Sequence, residues 1–338
     1  MGKRLSKNRR RDRPSTQKNK RIIESYGYRQ EDSELVPHST VHQQNTSVTC
    51  IDVWDGNLCV SGTCNGTVSL QDFSENIVTQ TWRHEKEITK VRIHDTRILS
   101  ASRDKTIKIW KSGIAVEQAG QLLGHTLAVT ALDCNKEFSQ AYSGSRDNSV
   151  RLWDLATGVC TEENKVSRNL VTDICISSEH NLVFQTSEDR AIKLWDSRDL
   201  QMVYSFPTQS QIQTSCDISG NLGITSNNGF DGRGCEICVW DLRERKLVWT
   251  LRGHTESVTD CKFLSDNCHF VSCSHDGTVK LWDLQEHTNG SMQMISTLPV
   301  NCGNLLCIAP LGKSNILCGS CDNGMLTISI ENDKLCFG

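Results

Sequence analysis

Histidine and aspartate recur in this sequence in an order that could place an imidazole against a carboxylate. Such a pair is the general-base arrangement of many hydrolytic enzymes, in which the carboxylate orients the imidazole. A catalytic site needs one pair, whereas here the arrangement occurs three times. We therefore predict a structural role for these residues and no enzymatic activity. The pairs are His84 with Asp104, His125 with Asp147, and His254 with Asp276.

Other signatures of enzymes are absent from the sequence. It contains no nucleophile elbow, phosphate-binding loop, zinc-protease helix motif or dinucleotide fingerprint. The pairs Cys235/Cys238 and Cys318/Cys321 have the spacing of zinc ligands, but they belong to different repeat units. With 17 cysteines in the chain such spacings are expected by chance, so we predict no metal and no cofactor. Secreted proteins with so many cysteines are short, disulfide-rich chains, so we predict a reducing compartment for this one, the cytosol or the nucleus.

The chain contains an internal repeat in which serine, aspartate and tryptophan stand at fixed distances. The clearest copies lie at 100–110, 143–155, 185–197 and 272–284. In each copy the aspartate follows a serine by two residues and precedes a tryptophan by six. Weaker copies contain Asn65, Trp240 and Asp322, and together they indicate seven units of about 43 residues.

Each unit contains short β-branched runs separated by turn residues, and four strands per unit is the blade period of a β-propeller. The units resemble WD-repeat blades, with Gly-His at 124–125 and 253–254 and Trp-Asp at 153–154, 195–196, 240–241 and 282–283. We therefore predict an all-β fold, a seven-bladed WD-repeat β-propeller with a disordered basic N-terminal tail. The tail is predicted at 1–40 and the propeller at 41–338.

The resemblance implies hydrogen-bonded tetrads that hold each blade together. In this family the carboxylate of the tight turn meets the histidine of the preceding loop, and a serine and the tryptophan complete the set. The implied tetrads are His84, Ser102, Asp104 and Trp110; His125, Ser145, Asp147 and Trp153; and His254, Ser274, Asp276 and Trp282.

A propeller must also close its ring, and the sequence leaves two candidates for the last outer strand. One is the C-terminal segment 334–337, and the other is the N-terminal segment around Glu34–His42.

Four residues are predicted to bind a partner on one face of the propeller. Arg103 and Arg146 precede the turn aspartates, so they are expected to lie side by side and recognise an anion. Phe230 and Arg233 belong to an insertion at 227–236, and aromatic and arginine side chains dominate interface hot spots. The alternatives are ordinary solvated charge for the arginines and a flexible loop tip for the insertion.

Charge is unevenly distributed along the chain. Residues 1–21 carry ten lysines and arginines against one aspartate, a net charge of +9, so the remainder of this chain of net charge −3 carries −12. Gly2 followed by Ser6 fits an N-myristoylation signal. One acyl chain binds a membrane only marginally, and a basic cluster supplies the second signal. The competing interpretation of the basic run at 8–14 is a nuclear signal or a nucleic-acid-binding arm, and a third is a disordered solubilising tail. The basic residues assigned to the membrane are Lys3, Arg4, Lys7, Arg9, Arg10, Arg11 and Arg13.

These features predict a non-enzymatic, monomeric interaction scaffold that binds proteins through the propeller and an anionic membrane surface through the tail. Nucleic acid is not a favoured partner. Within its family the chain is most similar to a member implicated in ciliary assembly and trafficking. That similarity implies small-GTPase regulators and ciliary trafficking complexes as partners, and a cytoplasmic, membrane-associated location at the cilium or its base. The alternative is a nuclear or cytosolic adaptor such as a ubiquitin-ligase substrate receptor.

Overall fold

The structure is a computed structural model that describes residues 46–73, 77–113, 117–166, 168, 170–285, 293–322 and 324–337. These residues form 28 β-strands in seven four-stranded antiparallel sheets. Within each sheet the strands follow one another in chain order, so every sheet is a meander built from one continuous stretch of chain. The sheets are the blades of a propeller, numbered 1 to 7 along the chain.

The strands of blades 1 to 4 have the following bounds. Blade 1 contains β1 (Val48–Trp54), β2 (Leu58–Thr63), β3 (Thr67–Asp72) and β4 (Ile77–Arg83). Blade 2 contains β5 (Ile88–His94), β6 (Arg97–Ser102), β7 (Ile107–Lys111) and β8 (Glu117–Leu122). Blade 3 contains β9 (Val129–Cys134), β10 (Gln140–Ser145), β11 (Ser149–Asp154) and β12 (Cys160–Lys165). Blade 4 contains β13 (Val171–Ser177), β14 (Leu182–Ser187), β15 (Ile192–Asp196) and β16 (Met202–Ser205).

Blades 5 to 7 continue the same order. Blade 5 contains β17 (Gln213–Ser219), β18 (Leu222–Asn227), β19 (Ile237–Asp241) and β20 (Lys246–Leu251). Blade 6 contains β21 (Val258–Phe263), β22 (His269–Ser274), β23 (Thr278–Asp283) and β24 (Gln293–Pro299). Blade 7 contains β25 (Leu305–Leu311), β26 (Asn315–Ser320), β27 (Met325–Glu331) and β28 (Lys334–Phe337).

The second strand of each blade is buried on both faces, because neighbouring blades pack against the two sides of every sheet. Small residues allow this close approach. A Cβ at Gly144 would lie 2.3 Å from Cγ1 of Val171 in the next blade, and one at Gly62 would lie 2.5 Å from Cγ2 of Ile88. Glycine at these positions therefore sets the spacing between blades.

The hydrophobic core is divided into seven clusters, each shared by two adjacent blades. The cluster that joins the last blade to the first contains Val48 and Ile51 from β1 together with Cys307, Ala309 and Leu317 from blade 7. Burial of such side chains contributes about 25 cal/mol per Å² of apolar surface, so the ring is stabilised mainly where blades meet.

The C-terminal strand β28 completes blade 7 by pairing antiparallel with β27. Of the two candidates for the last outer strand, 334–337 therefore takes this place. The other candidate, Glu34–His42, lies outside the described residues.

A row of threonines in the innermost strands ties successive blades to one another around the central channel. In each case the hydroxyl donates a hydrogen bond to a main-chain carbonyl at the start of the next blade's inner strand. The bonds run from Thr49 to Ile88 (2.6 Å), Thr89 to Val129 (2.7 Å), Thr130 to Val171 (2.5 Å), Thr172 to Gln213 (2.7 Å), Thr214 to Val258 (2.5 Å) and Thr259 to Leu305 (3.0 Å).

The predicted all-β, seven-bladed architecture is confirmed. The predicted tail at 1–40 and the first residues of the predicted propeller lie outside the described residues. Within the described segments, no helix has the length and hydropathy needed to cross a membrane. All seventeen cysteines are present as free thiols.

Candidate functional site

Blade 6 shows how a histidine, a serine, an aspartate and a tryptophan hold one blade together. His254 Nδ1 lies 2.9 Å from Asp276 Oδ2, and His254 Nε2 lies 2.8 Å from the hydroxyl of Ser272. Trp282 Nε1 donates to the same hydroxyl at 2.9 Å. Thr278 adds a hydroxyl that donates to the Asp276 carboxylate at 2.6 Å. The network connects the blade-to-blade linker, the tight turn and two strands.

Blades 2 and 3 contain the same network. His84 Nδ1 lies 2.8 Å from Asp104 Oδ2, and His125 Nδ1 lies 2.9 Å from Asp147 Oδ2. Both nitrogens of each ring are engaged by the protein, and the histidine side chains are at most 1% exposed in blades 2, 3 and 6. A ring closed off in this way holds a turn in place and is not accessible to a substrate.

The serine of the tetrad differs from the predicted one. The hydroxyl between histidine and tryptophan belongs to a residue two positions earlier, Ser100 in blade 2. Two residues correspond to about 6.6 Å along a strand, which places Ser102 level with the turn. There the Ser102 hydroxyl accepts a hydrogen bond from the N–H of Asp104 and donates one to the carbonyl of Lys86. The same correction replaces Ser145 by Ser143 and Ser274 by Ser272.

Two blades without a complete tetrad hold their tryptophan in other ways. In blade 4, Trp195 Nε1 donates to Gln185 Oε1 at 2.8 Å. In blade 5, Trp240 Nε1 donates to the Thr225 hydroxyl at 3.0 Å. Both acceptors occupy the middle of the second strand, as Ser100 does in blade 2. The sequence analysis missed them because it followed the serine beside the turn.

The tetrads shift the pKa values of their members. Burial raises the pKa of the Asp276 carboxyl, but hydrogen bonds from His254 and Thr278 lower it by more, so this pKa lies well below its ordinary value. The pKa values of Asp104 and Asp147 are also lowered, because hydrogen bonds from the histidine and a neighbouring hydroxyl again outweigh the effect of burial. The pKa of His254 is also lowered, because burial disfavours its charged form more than Asp276 favours it. The network is therefore stabilised with aspartate ionised and His254 neutral.

The loops between second and third strands and the linkers between blades lie on one face, here called the top face. Main-chain hydrogen bonds join the two kinds of segment, as between Arg103 N and Glu87 O at 2.9 Å. At the centre of the top face, over the channel mouth, lies a depression of about 570 Å³. Its lining includes Arg103, Arg146, Glu188, Ile212 and Asn228.

The two predicted arginines line this depression, but each already has a carboxylate partner. Arg103 Nε lies 3.1 Å from Glu87 Oε2, and the Arg146 guanidinium pairs with Glu188 of the next blade. The arginines therefore do not form a free anion-binding pair. Exposed ion pairs are worth about 0–1 kcal/mol, so a ligand that competes for either partner meets little resistance.

The insertion at 227–236 is a tight hairpin. Phe230 N donates to Arg233 O and Arg233 N donates to Phe230 O, both at 3.0 Å. Asp231 and Gly232 between them have φ values of 52° and 70°, as in a two-residue type I′ turn. Gly232 N donates to Thr255 O of the neighbouring linker at 2.7 Å, which fixes the hairpin to the top face. Phe230 stays 74% exposed.

The remaining predicted site residues belong to the N-terminal segment. Gly2, Lys3, Arg4, Lys7, Arg9, Arg10, Arg11 and Arg13 lie outside the described residues. Among the residues that the structure does describe, no group of three or more histidine, cysteine or acidic side chains is arranged to hold a metal ion.

We expect Asp276→Ala to destabilise the propeller by about 1–3 kcal/mol, because it leaves His254 and the Thr255 N–H without their acceptor. Equilibrium urea unfolding measures this change. The matched control is Glu179→Ala, which removes a surface carboxylate and should change the free energy of unfolding by less than about 0.5 kcal/mol. Equal effects of the two substitutions would show that the tetrad contributes nothing to folding.

Acid should destabilise the propeller in two steps. The unfolded chain has ordinary pKa values of about 6.5 for histidine and 3.9 for aspartate. His254 and Asp276 both have lower pKa values when folded, so the unfolded chain binds protons first in each range and stability falls as the pH falls. Urea unfolding should show a decline below about pH 6.5 and a steeper one below about pH 4. Asp276→Asn should reduce the second decline, and a profile identical to wild type would contradict the assignment.

Comparison with known proteins gives the same pattern of blades. Four segments match the family described as "WD domain, G-beta repeat", at residues 77–111, 117–154, 159–196 and 245–283. Each segment runs from the outer strand of one blade to the third strand of the next and ends on blade 2, 3, 4 or 6. These are the blades with a turn aspartate six residues before the tryptophan.

The chain is also similar to curated proteins of several kinds. Eukaryotic translation initiation factor 3 subunit I of Nematostella vectensis is 27% identical over 59% of this chain, and the match spans 64% of that protein. The Anopheles gambiae protein of the same name is 28% identical over 71% of this chain and 75% of its own length. Cell division control protein 4 of Saccharomyces cerevisiae is 24% identical over 65% of this chain and 31% of its own length. The repeats, the tetrads and these similarities agree: the chain folds as a seven-bladed β-propeller and contains repeats of the WD type.

Proposed function

We propose that this chain is a non-enzymatic scaffold that binds protein partners through its top face. The observation that carries the proposal is the Phe230 hairpin, which presents an aromatic ring that is 74% exposed on a backbone fixed by hydrogen bonds. An exposed aromatic side chain on a rigid support loses little conformational entropy on binding. Strand packing makes no demand on Phe230, so an interface accounts for it better than the fold does.

The central depression of the top face supplies the polar part of the proposed interface. Asn228 lines the depression and lies two residues from Phe230, so the hairpin and the depression are continuous. The Arg103–Glu87 and Arg146–Glu188 pairs offer both charges to a partner. An aromatic anchor next to exchangeable ion pairs is the composition of a protein–protein interface with a polar rim.

We further propose that the N-terminal segment attaches this scaffold to an anionic membrane in the cytoplasm. The support is the acylation signal at Gly2 together with the charge of +9 over residues 1–21. The resemblance of the chain to a WD-repeat protein implicated in ciliary assembly and trafficking supports a location at the cilium or its base. The same resemblance supports small-GTPase regulators and trafficking complexes as partners. The similar protein from Nematostella vectensis is by name a subunit of a larger factor, and such a role is compatible with a scaffold.

The top-face proposal predicts that Arg103→Glu, Arg146→Glu and Phe230→Ala together abolish partner capture without unfolding the protein. Quantitative proximity labelling in cells should show the wild-type partners depleted by about tenfold or more, equivalent to roughly 1.4 kcal/mol. The matched control combines Arg198→Glu, Arg243→Glu and Met202→Ala, which changes two exposed arginines and one exposed apolar side chain away from the top face. Partners that survive the top-face variant but disappear with the control would overturn the assignment of the face.

The tail proposal predicts that Gly2→Ala moves the protein from membranes to the soluble fraction. Intact mass of the N-terminal peptide from eukaryotic cells should show the acyl group on wild type. Replacing Arg9, Arg10 and Arg11 by alanine should weaken attachment while leaving that mass unchanged, because only the electrostatic contribution of about 1 kcal/mol per residue is lost. An unmodified Gly2 with nuclear protein would favour the nuclear adaptor instead.

A further inference from the structure

The interface between blades 7 and 1, here called the seam, differs from the other six in covalent connection. Every other pair of neighbouring blades is joined by a short linker, because the blades follow one another along the chain. At the seam the two blades that meet are the first and the last. In the part of the chain that the structure describes, only non-covalent contacts hold these two blades together.

Among the described residues, the seam also lacks the threonine bond of the inner row. The position in β25 that corresponds to Thr49 and Thr259 is occupied by Leu306, which has no hydroxyl. The carbonyl that a threonine there would reach belongs to Val48. That carbonyl is approached by the thiol of Cys307 at 3.8 Å, and a thiol is a weak donor.

Carboxylates of the inner strands reinforce most of the other interfaces, whereas the inner strand of blade 7, β25, contains no carboxylate. In five cases an aspartate of one inner strand accepts a main-chain N–H of the next blade. The corresponding positions of β25 hold Cys307 and Ala309, which cannot accept such a bond. The acceptor–donor pairs are Asp52 with Ile93, Asp133 with Ile176, Asp173 with Cys216, Asp217 with Phe263, and Asp260 with Ile308.

What the seam does contain is an apolar cluster with two buried thiols. Cys59 and Cys307 pack there with Val48, Ile51 and Leu317, and both thiols are at most 4% exposed. The interface between blades 4 and 5 contains a comparable pair, Cys175 and Cys216, with the same burial. That second interface retains its threonine, its aspartate and its linker.

We propose that the ring opens first at the seam, so that blades 1 and 7 separate while the other six interfaces stay closed. Local opening follows the weakest set of interactions in a structure, and the seam lacks the linker, the hydroxyl and the carboxylate at once. The opening exposes Cys59 and Cys307 to solvent. This inference concerns the propeller alone and does not depend on its partners or on the tail.

Native-state thiol labelling of the full chain tests the proposal. The protein is incubated with N-ethylmaleimide without denaturant, and labelling at each cysteine is followed by mass spectrometry. The exposed thiol of Cys64 reports the activity of the reagent. Cys59 and Cys307 should be labelled at least about fivefold faster than Cys175 and Cys216, the ratio expected for one net hydrogen bond. Equal rates at all four thiols would mean that they are reached by global unfolding, and the proposal would fail.

Substitutions at the threonine position give the second test. Leu306→Thr supplies a hydroxyl for the Val48 carbonyl and should slow labelling of Cys59 and Cys307 by about fivefold without changing Cys175. Leu306→Val introduces a side chain of the same shape as threonine but without the hydroxyl, so it should not slow labelling of Cys59 and Cys307. Conversely, Thr172→Val should accelerate labelling of Cys175 and Cys216. If Leu306→Thr and Leu306→Val behave alike while Thr172→Val has no effect, the inner row does not control opening.

Discussion

One hydroxyl in each of six blades, donated to a carbonyl of the next blade, fixes how the sheets of this propeller sit against one another. Hydrophobic burial drives the blades together but has no direction, so it leaves their relative height and rotation weakly defined. The threonine bonds supply that direction at the channel wall. The tetrads then hold the top loops of individual blades relative to their strands. Together the threonine bonds and the tetrads fix the positions of the seven sheets and of their top loops, so that the top face has a defined shape.

The separate roles of the threonine bonds and the tetrads also explain where this chain departs from its own repeat. Blade 5 has no histidine–aspartate pair at its top, and its tight turn is replaced by the Phe230 hairpin. Thr225 still holds Trp240 in the middle of the blade, so the sheet keeps its core while the top loop is released from the tetrad. The hairpin is instead fixed to the next linker through Gly232. In blade 5 the loss of the top tetrad is thus accompanied by a turn that can carry a recognition element.

Much of the fold could be predicted from the sequence because it repeats local features. The spacing of Asp104 from Trp110 returns in four units, and each occurrence reports a turn between two paired strands. The choice of serine was wrong because Ser100 and Ser102 both recur, and only depth within the blade distinguishes them. The glutamates that neutralise Arg103 and Arg146 were missed for another reason. Glu188 belongs to a different blade from Arg146, and contacts across blades leave no periodic signal.

Ring closure could not be predicted from the sequence for the same reason. Two segments of the chain were equally good candidates for the last outer strand. The structure assigns it to β28, whose residues directly follow β27. Every blade is therefore a local unit, while the contact between the first and last blades is the most distant in the chain. Loop-closure entropy grows with sequence separation, so this contact is the entropically least favourable one to form from the unfolded chain.

Closure by the final blade has a consequence for how the protein is made. Blade 1 is synthesised before the other blades, yet the blade 7 residues that pack against Val48 and Ile51 emerge only about 250 residues later. At translation rates of about 5–20 residues per second, that interval lasts on the order of 12–50 seconds. During this time the nascent chain presents a sheet face that its partner blade does not yet cover. The first blade is therefore open to non-native contacts on the nascent chain until the seventh blade has been made.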